Sequence, residues 1–296
     1  MLLQEWHPPS RLVPPRLKHK IASLTEPVSS LGPGDLERFR QASLQTVPGA
    51  IGNQLLQEAA VAYSVIGTVL GPKWFATNLN PATGAEYFLF QSPDDSVGAY
   101  VRQYRILQLG RHLYELQHLP DFDGMVQNLR TRSLVGACAE LHAAYLLTQN
   151  GHPVRFVLPT GTKGGDFDQF VSYRGSEISI EVKAKGDHTP YTKSSLLASI
   201  KSARQQLPST GPGVVFVHLP SEWTEDARFI GEIDAVVDQV LRNSKRMNAL
   251  IFFWEQWIPA QPHGMVSMSK FHPYFHSSPR TPVQDLESLL RGFGPV

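Results

Sequence analysis

Residues 177–183, Glu-Ile-Ser-Ile-Glu-Val-Lys, alternate apolar and polar side chains without a break. That pattern commits them to a strand with Ile178, Ile180 and Val182 on one face and Ser179, Glu181 and Lys183 on the other. Arg174-Gly175 stands just before it as a turn, and residues 167–173 read as the preceding strand of a hairpin. A two-residue turn sets Tyr173 opposite Ser176, Asp168 opposite Glu181 and Asp166 opposite Lys183. A four-residue loop moves Asp168 opposite Lys183 and drops Asp166 from the group, so Asp168 stays among these residues in either register.

The segments around the hairpin set the fold class. Ser133 can cap a helix in which Leu134, Cys138, Leu141 and Tyr145 recur at helical spacing and which Gly151 closes. Residues 154–158 read as a short strand and 161–165 as a Gly-rich loop. After the hairpin, Leu196, Ile200, Ala203 and Leu207 repeat the helical spacing, and residues 213–219 form a continuous apolar run suited to a buried strand. Phe229, Ile233, Val236 and Val240, with Ile230, Val237 and Leu241 beside them, form a wide helical stripe, and residues 249–254 are the last strand expected. The order predicts an α/β fold: a mixed sheet flanked by helices, with a mostly helical N-terminal region. Its parts are a proline-rich arm (1–48) whose proline density disfavours regular elements, a helical region (49–132) with helices over 51–66 and 100–119 and turns at Gly71-Pro72 and 81–84, a core (133–258), and a peripheral tail (259–296) with one helix over 283–290.

Length and composition narrow the classes of function. A chain of 296 residues, 42% hydrophobic, can bury a full core. No apolar run approaches the roughly 18 residues of a membrane helix, and the N-terminus lacks the order of a secretory signal, so the expectation is a cytoplasmic protein without membrane association. The single cysteine, Cys138, excludes an intramolecular disulfide and is expected to pack in the core. With 27 Lys plus Arg against 26 Asp plus Glu, any nucleic-acid binding must come from a local patch.

Carboxylates gathered on one sheet edge repel one another unless a divalent cation neutralises them. Magnesium suits such a site, because it takes carboxylates, retained waters and phosphate oxygens, and lowers the pKa of a bound water. Lys183 beside that water would orient it, accept its proton or stabilise charge on the phosphate.

Asp-x(n)-Glu-Val-Lys on a hairpin, preceded by the helix carrying Gly136-Ala137-Cys138-Ala139-Glu140-Leu141, resembles the PD-(D/E)XK nuclease superfamily, and its spacing is similar to that of Holliday-junction-resolvase-like members. The resemblance implies a restriction-endonuclease-like core, magnesium with manganese as substitute, and phosphodiester hydrolysis in nucleic acid, DNA first. It also implies metal ligation by Asp168 or Asp166, by Glu181 and by the Val182 carbonyl, assistance from Lys183, and an added ligand in Glu140. Such members often dimerise, so a homodimer is an expectation of the same origin. The proline that often precedes the first aspartate of the family is missing, since Gly165 precedes Asp166 and Phe167 precedes Asp168. The alternative is a catalytically inactive module of the same fold that binds nucleic acid or protein.

Other residues carry two readings each. Glu140 is either a ligand or a solvated edge of its helix, and Asp166 either a ligand or a loop cap. Lys185, Lys193, Lys201 and Arg204 are either phosphate contacts or a solvated face. Gln205 and Gln206 match the glutamines of some superfamily nucleases only loosely. His272 and His276 have zinc-helix spacing, but Pro273 between them argues against a helix. Trp223, Trp254 and Trp257 are expected to pack in or over the core.

Overall fold

The computed structural model describes residues 31–47, 49–79, 89, 96–158, 165–260 and 264–290. The expected turn at 81–84, most of the loop at 161–165 and the first thirty residues of the arm lie outside them. The chain divides into two compact units, one of residues 1–118 and 126–131, the other of 119–125 and 132–296.

The first unit is helical: α1 (Pro33–Thr46), α2 (Gln54–Leu70), α3 (Pro72–Asn78), α4 (Ser96–Leu116) and the later part of α5 (Phe122–Thr131), of which α2 and α4 are the two that the apolar spacing predicts. Helix α1 corrects the expectation of an arm without regular structure. Pro33 occupies its first turn, where the missing N–H costs nothing, and the next proline, Pro48, falls after its end. Between them Leu36, Phe39 and Ala42 bury one face. Helices α2 and α4 pack closely where Gly110 meets Ala62.

The second unit is a mixed six-stranded sheet with helices on both faces. Its strands are β1 (Val154–Phe156), β2 (Gln169–Tyr173), β3 (Ser176–Ala184), β4 (Gly213–His218), β5 (Ala249–Ala260) and β6 (Gly264–Phe275), lying side by side in chain order. β3, β4 and β5 run parallel, and the other neighbours are antiparallel. Helices α7 (Lys193–Gln206) and α8 (Ala227–Arg242) supply the two crossovers that parallel pairs require. Adjacent residues Phe252 and Phe253 show the two faces. Phe252 packs edge-on against Phe229 of α8, whereas Phe253 stacks on His142 of α6 (Leu134–Gln149). Leu196, Ile200 and Ala203 of α7 join Val215, Val217, Leu250 and the α8 stripe in one core, closed at its end by Trp223, whose indole donates to Thr189 O. Trp254 packs against the rim of this core.

Several details depart from the periodic reading. Ile230 is 59% exposed, because the apolar arc of α8 is wider than the sheet surface it covers. Cys138 is half-buried, since α6 buries the alanine and leucine positions on either side of it more deeply. Ser133 stands at the N-cap of α6 without a side-chain cap bond, and the tail's expected helix is a single 3-10 turn, Leu286–Leu290. The larger correction is β6, which turns much of the expected peripheral tail into sheet and extends β5 well past 254. Pro273 hid it. His276 N–H bonds Asn248 O, so residues in phase with His276 face β5 and the Pro273 nitrogen turns to the free edge, where no hydrogen bond is lost. His272 and His276 therefore lie on or beside a strand and make no helical zinc pair.

Gly213 starts β4 in a space with no room for a side chain: an added Cβ would stand 2.5 Å from Arg246 O and 2.8 Å from Leu207 Cδ1. Gly213→Ala is expected to destabilise the fold by roughly 1–3 kcal/mol through forced backbone movement. Chemical denaturation checks this, and an unchanged midpoint would show that the β4 entry is not tightly packed.

Candidate metal centre

The hairpin forms with the shorter of the two loops. Arg174 and Gly175 have φ of 47° and 77°, both left-handed as a two-residue type I′ turn requires, and Tyr173 pairs with Ser176. The ladder runs from there to Gln169 opposite Ile180. At that point it bulges: Asp168 N–H also bonds Ile180 O, at 3.0 Å, so two residues of the first strand oppose one of β3. The extra residue re-aims the Asp168 side chain, whose Oδ2 accepts from Val182 N–H at 2.7 Å. Asp166 lies before the start of β2, so the expected pairing with Lys183 does not form.

Glu181 and Lys183 share the face of β3 that α7 covers, next to Val215 and Val217 of β4. Glu181 is fully buried there. Lys183 Nζ donates to Glu181 Oε1 and to Gln206 Oε1, each at 2.5 Å, and Gln206 Nε2 donates to Asp166 O at 3.2 Å. Asp166 thus joins the group through its backbone carbonyl. Glu140 is buried on α6, its carbonyl accepts from Gln169 Nε2 at 2.6 Å, and its charge acts on Glu181.

Burial dominates the electrostatics. It pushes the Asp168 carboxyl up to about 6, against the pull of the Val182 N–H, the Lys183 ammonium and the Arg132 guanidinium. It pushes Glu181 further, to about 9, helped by the Asp168 charge and opposed by Lys183. The contact with Lys183 survives either state, because a neutral carboxyl oxygen also accepts from an ammonium. A protonated Glu181 can donate to Asp168, whereas an ionised one leaves its Oε2 buried with no donor.

That oxygen tests the fit of a divalent ion. Among the described residues no group of three or more His, Cys, Asp or Glu side chains is gathered closely enough to hold a metal ion by itself. Magnesium does not need one, since it takes one or two carboxylates and keeps several waters. Glu181 Oε2 and the Asp168 oxygen not bonded to Val182 are the two such donors. The Val182 carbonyl is a third, because the N–H and C=O of one strand residue leave on the same edge, and its N–H points to Asp168. Asp168, Glu181 and the Val182 carbonyl fit the ion, with Glu140 within electrostatic range.

One contributor has no signal in the sequence pattern, and a second is left ambiguous between two neighbours. Arg132, immediately before the α6 cap, lowers the Asp168 pKa, and adjacency to that helix was its only signal. Gln206, not Gln205, reaches Lys183, and only the phase of α7 distinguishes them. No protein-family model and no curated protein matches the chain.

A buried acid whose pKa rises from 4.5 to about 9 weakens the fold as pH climbs through that interval. Below it both states hold the proton. Within it the unfolded chain ionises while the folded one resists, and above it the full penalty stands. Without divalent ions, Glu181→Gln is therefore expected to be more stable than the native protein at pH 8.5, by about 1–3 kcal/mol, and indistinguishable near pH 4.5. Paired thermal melts check the sign, and a variant that melts lower at the alkaline pH refutes the account.

Proposed function

We propose that the protein is a metal-dependent nuclease with a restriction-endonuclease-like core, hydrolysing phosphodiester bonds in nucleic acid, DNA first, in the cytoplasm. The observation that carries the reading is the buried Glu181 Oε2 without a donor, beside Asp168 and within two residues of a lysine held by Gln206. Nothing in core packing calls for this arrangement, since each ionisable group placed there costs free energy unless it is compensated. The resemblance of Asp168, Glu181, Val182 and Lys183 to the PD-(D/E)XK pattern supports the same reading.

Magnesium, or manganese in its place, would supply Lewis acidity toward a phosphate oxygen and a water of lowered pKa. The chain's own residues set the geometry. Val182 N–H fixes Asp168 Oδ2 and Lys183 fixes Glu181 Oε1, so the other oxygen of each carboxylate would be the one to hold the ion. Gln206 holds Lys183 Nζ from the α7 side, so the ammonium stays beside the carboxylates rather than swinging into solvent. From there it compensates the negative charge that grows on the phosphate as the water oxygen bonds to phosphorus and the leaving oxygen departs with a proton.

The test is cleavage of plasmid and linear DNA with magnesium or manganese, beside calorimetric titration of each ion. Divalent-dependent cutting is expected, with a loss of about 100-fold or more in Glu181→Gln and Lys183→Met. Full activity in either variant would remove these residues from the mechanism. A native chain that binds neither ion at millimolar concentration would instead be the non-catalytic binding module.

A further inference from the structure

Four basic residues near the site had the same standing in the sequence, and α7 separates them. Lys193, Lys201 and Arg204 recur at spacings of eight and three, one edge of the helix, and Arg204 points that edge toward α8 by donating to Asn243 O. Ser195, Ser199, Ser202 and Gln206 recur at spacings of four, three and four, and form a different edge. Its two ends are bound to β3 and the residue after it: Gln206 to Lys183, and Ser195 to Lys185. Lys185 follows the end of β3, but its N–H still bonds His218 O of β4 at 3.0 Å, so its Cα continues the row of Glu181 and Lys183 one strand repeat, roughly 6–7 Å, further along.

The surroundings of Lys185 are unlike those of Lys183. Among the described residues its ammonium bonds only neutral groups, Ser195 Oγ at 2.8 Å and Ser195 O at 3.3 Å. Burial holds its pKa below the ordinary lysine value, with no charge among the described residues entering as a cause. A partly buried cation without a counter-charge is a cost that an anion would relieve. Along one edge, the α7 row offers hydroxyls and no carboxylate.

We infer that Lys185 is a second phosphate contact of this centre, taking the nucleic-acid phosphate next to the one that is cut, with Ser195 as its partner when no substrate is bound. The inference rests on the nuclease reading for its substrate, and it gives the near-neutral chain its local positive contact along the strand. Lys185 positions the backbone and leaves the reacting atoms to Lys183.

The chain of 296 residues, with Lys185→Gln and Lys185→Arg, is titrated against a DNA duplex of about 20 bp in EDTA, followed by anisotropy over a range of salt. Lys185→Gln is expected to bind about 3–10-fold more weakly and to lose about 0.9 from the slope of log affinity against log salt, the release of one phosphate contact. Lys185→Arg keeps the charge and is expected to keep the slope. With magnesium present, KM rises in Lys185→Gln while kcat stays within about twofold, and the melting temperature is unchanged. Equal slopes for the native protein and Lys185→Gln overturn the inference, as does a loss confined to kcat or a fall in melting temperature that Lys185→Arg shares. Binding with the predicted slopes but no cutting by the native chain would sink the nuclease reading alone. Cutting with unaltered KM and slope in Lys185→Gln would sink this inference alone, and no binding of duplex at all would sink both.

Discussion

Everything in the candidate centre depends on a two-residue turn. Because Arg174 and Gly175 both take left-handed φ, the hairpin closes in one register, and that register decides which side chains of β3 lie beneath α7. A slip by one residue would put Ile180 and Val182 where Glu181 and Lys183 stand, and the carboxylate would move to the α6 face. The bulge at Asp168 then does what a regular ladder cannot. It ends pairing one residue early and sends a carboxylate across to the Val182 N–H.

The electrostatic character follows from that placement. The position of Glu181 is one that an aliphatic residue would fill without penalty, between Val215 of the neighbouring strand and the underside of a helix. Lys183 offsets part of the cost, and Gln206 keeps Lys183 from leaving. What remains uncompensated appears as a carboxyl that resists ionisation and an oxygen without a donor. Stability and any affinity of this residue for a cation would thus be opposed: the isolated fold favours the proton, and a divalent ion would favour its loss.

Strong periodicity made much of this legible in the sequence. The alternation in β3, the stripes of α7 and α8 and the apolar run of β4 each reported one face or one burial state directly. The failures have local causes. Helix α1 lay in a proline-dense segment whose prolines sit at its margins, and β6 carries a proline that an edge strand tolerates. The bulge leaves no compositional trace, so strand pairing alone places Asp168 in the right neighbourhood but opposite the wrong backbone partner. Gln206 and Arg132 reach the cluster by helix phase and by adjacency, which depend on packing rather than on pattern.

The centre is also local along the chain. The hydrogen bonds among Asp166, Asp168, Glu181, Val182, Lys183 and Gln206 join residues separated by 2, 14, 23 and 40 positions, within one hairpin, its entry and the helix that follows it, and one further bond, Gln169 to Glu140, ties in α6. β5 and β6 lend it no hydrogen bond among these and serve as buttress to the sheet. Insertions or substitutions on that outer side would change how firmly the platform is held without re-aiming Asp168, Glu181 or Lys183. The candidate centre and the scaffold's outer edge are therefore constrained separately, the first mostly by the geometry of about forty residues and the second by the need to stay folded.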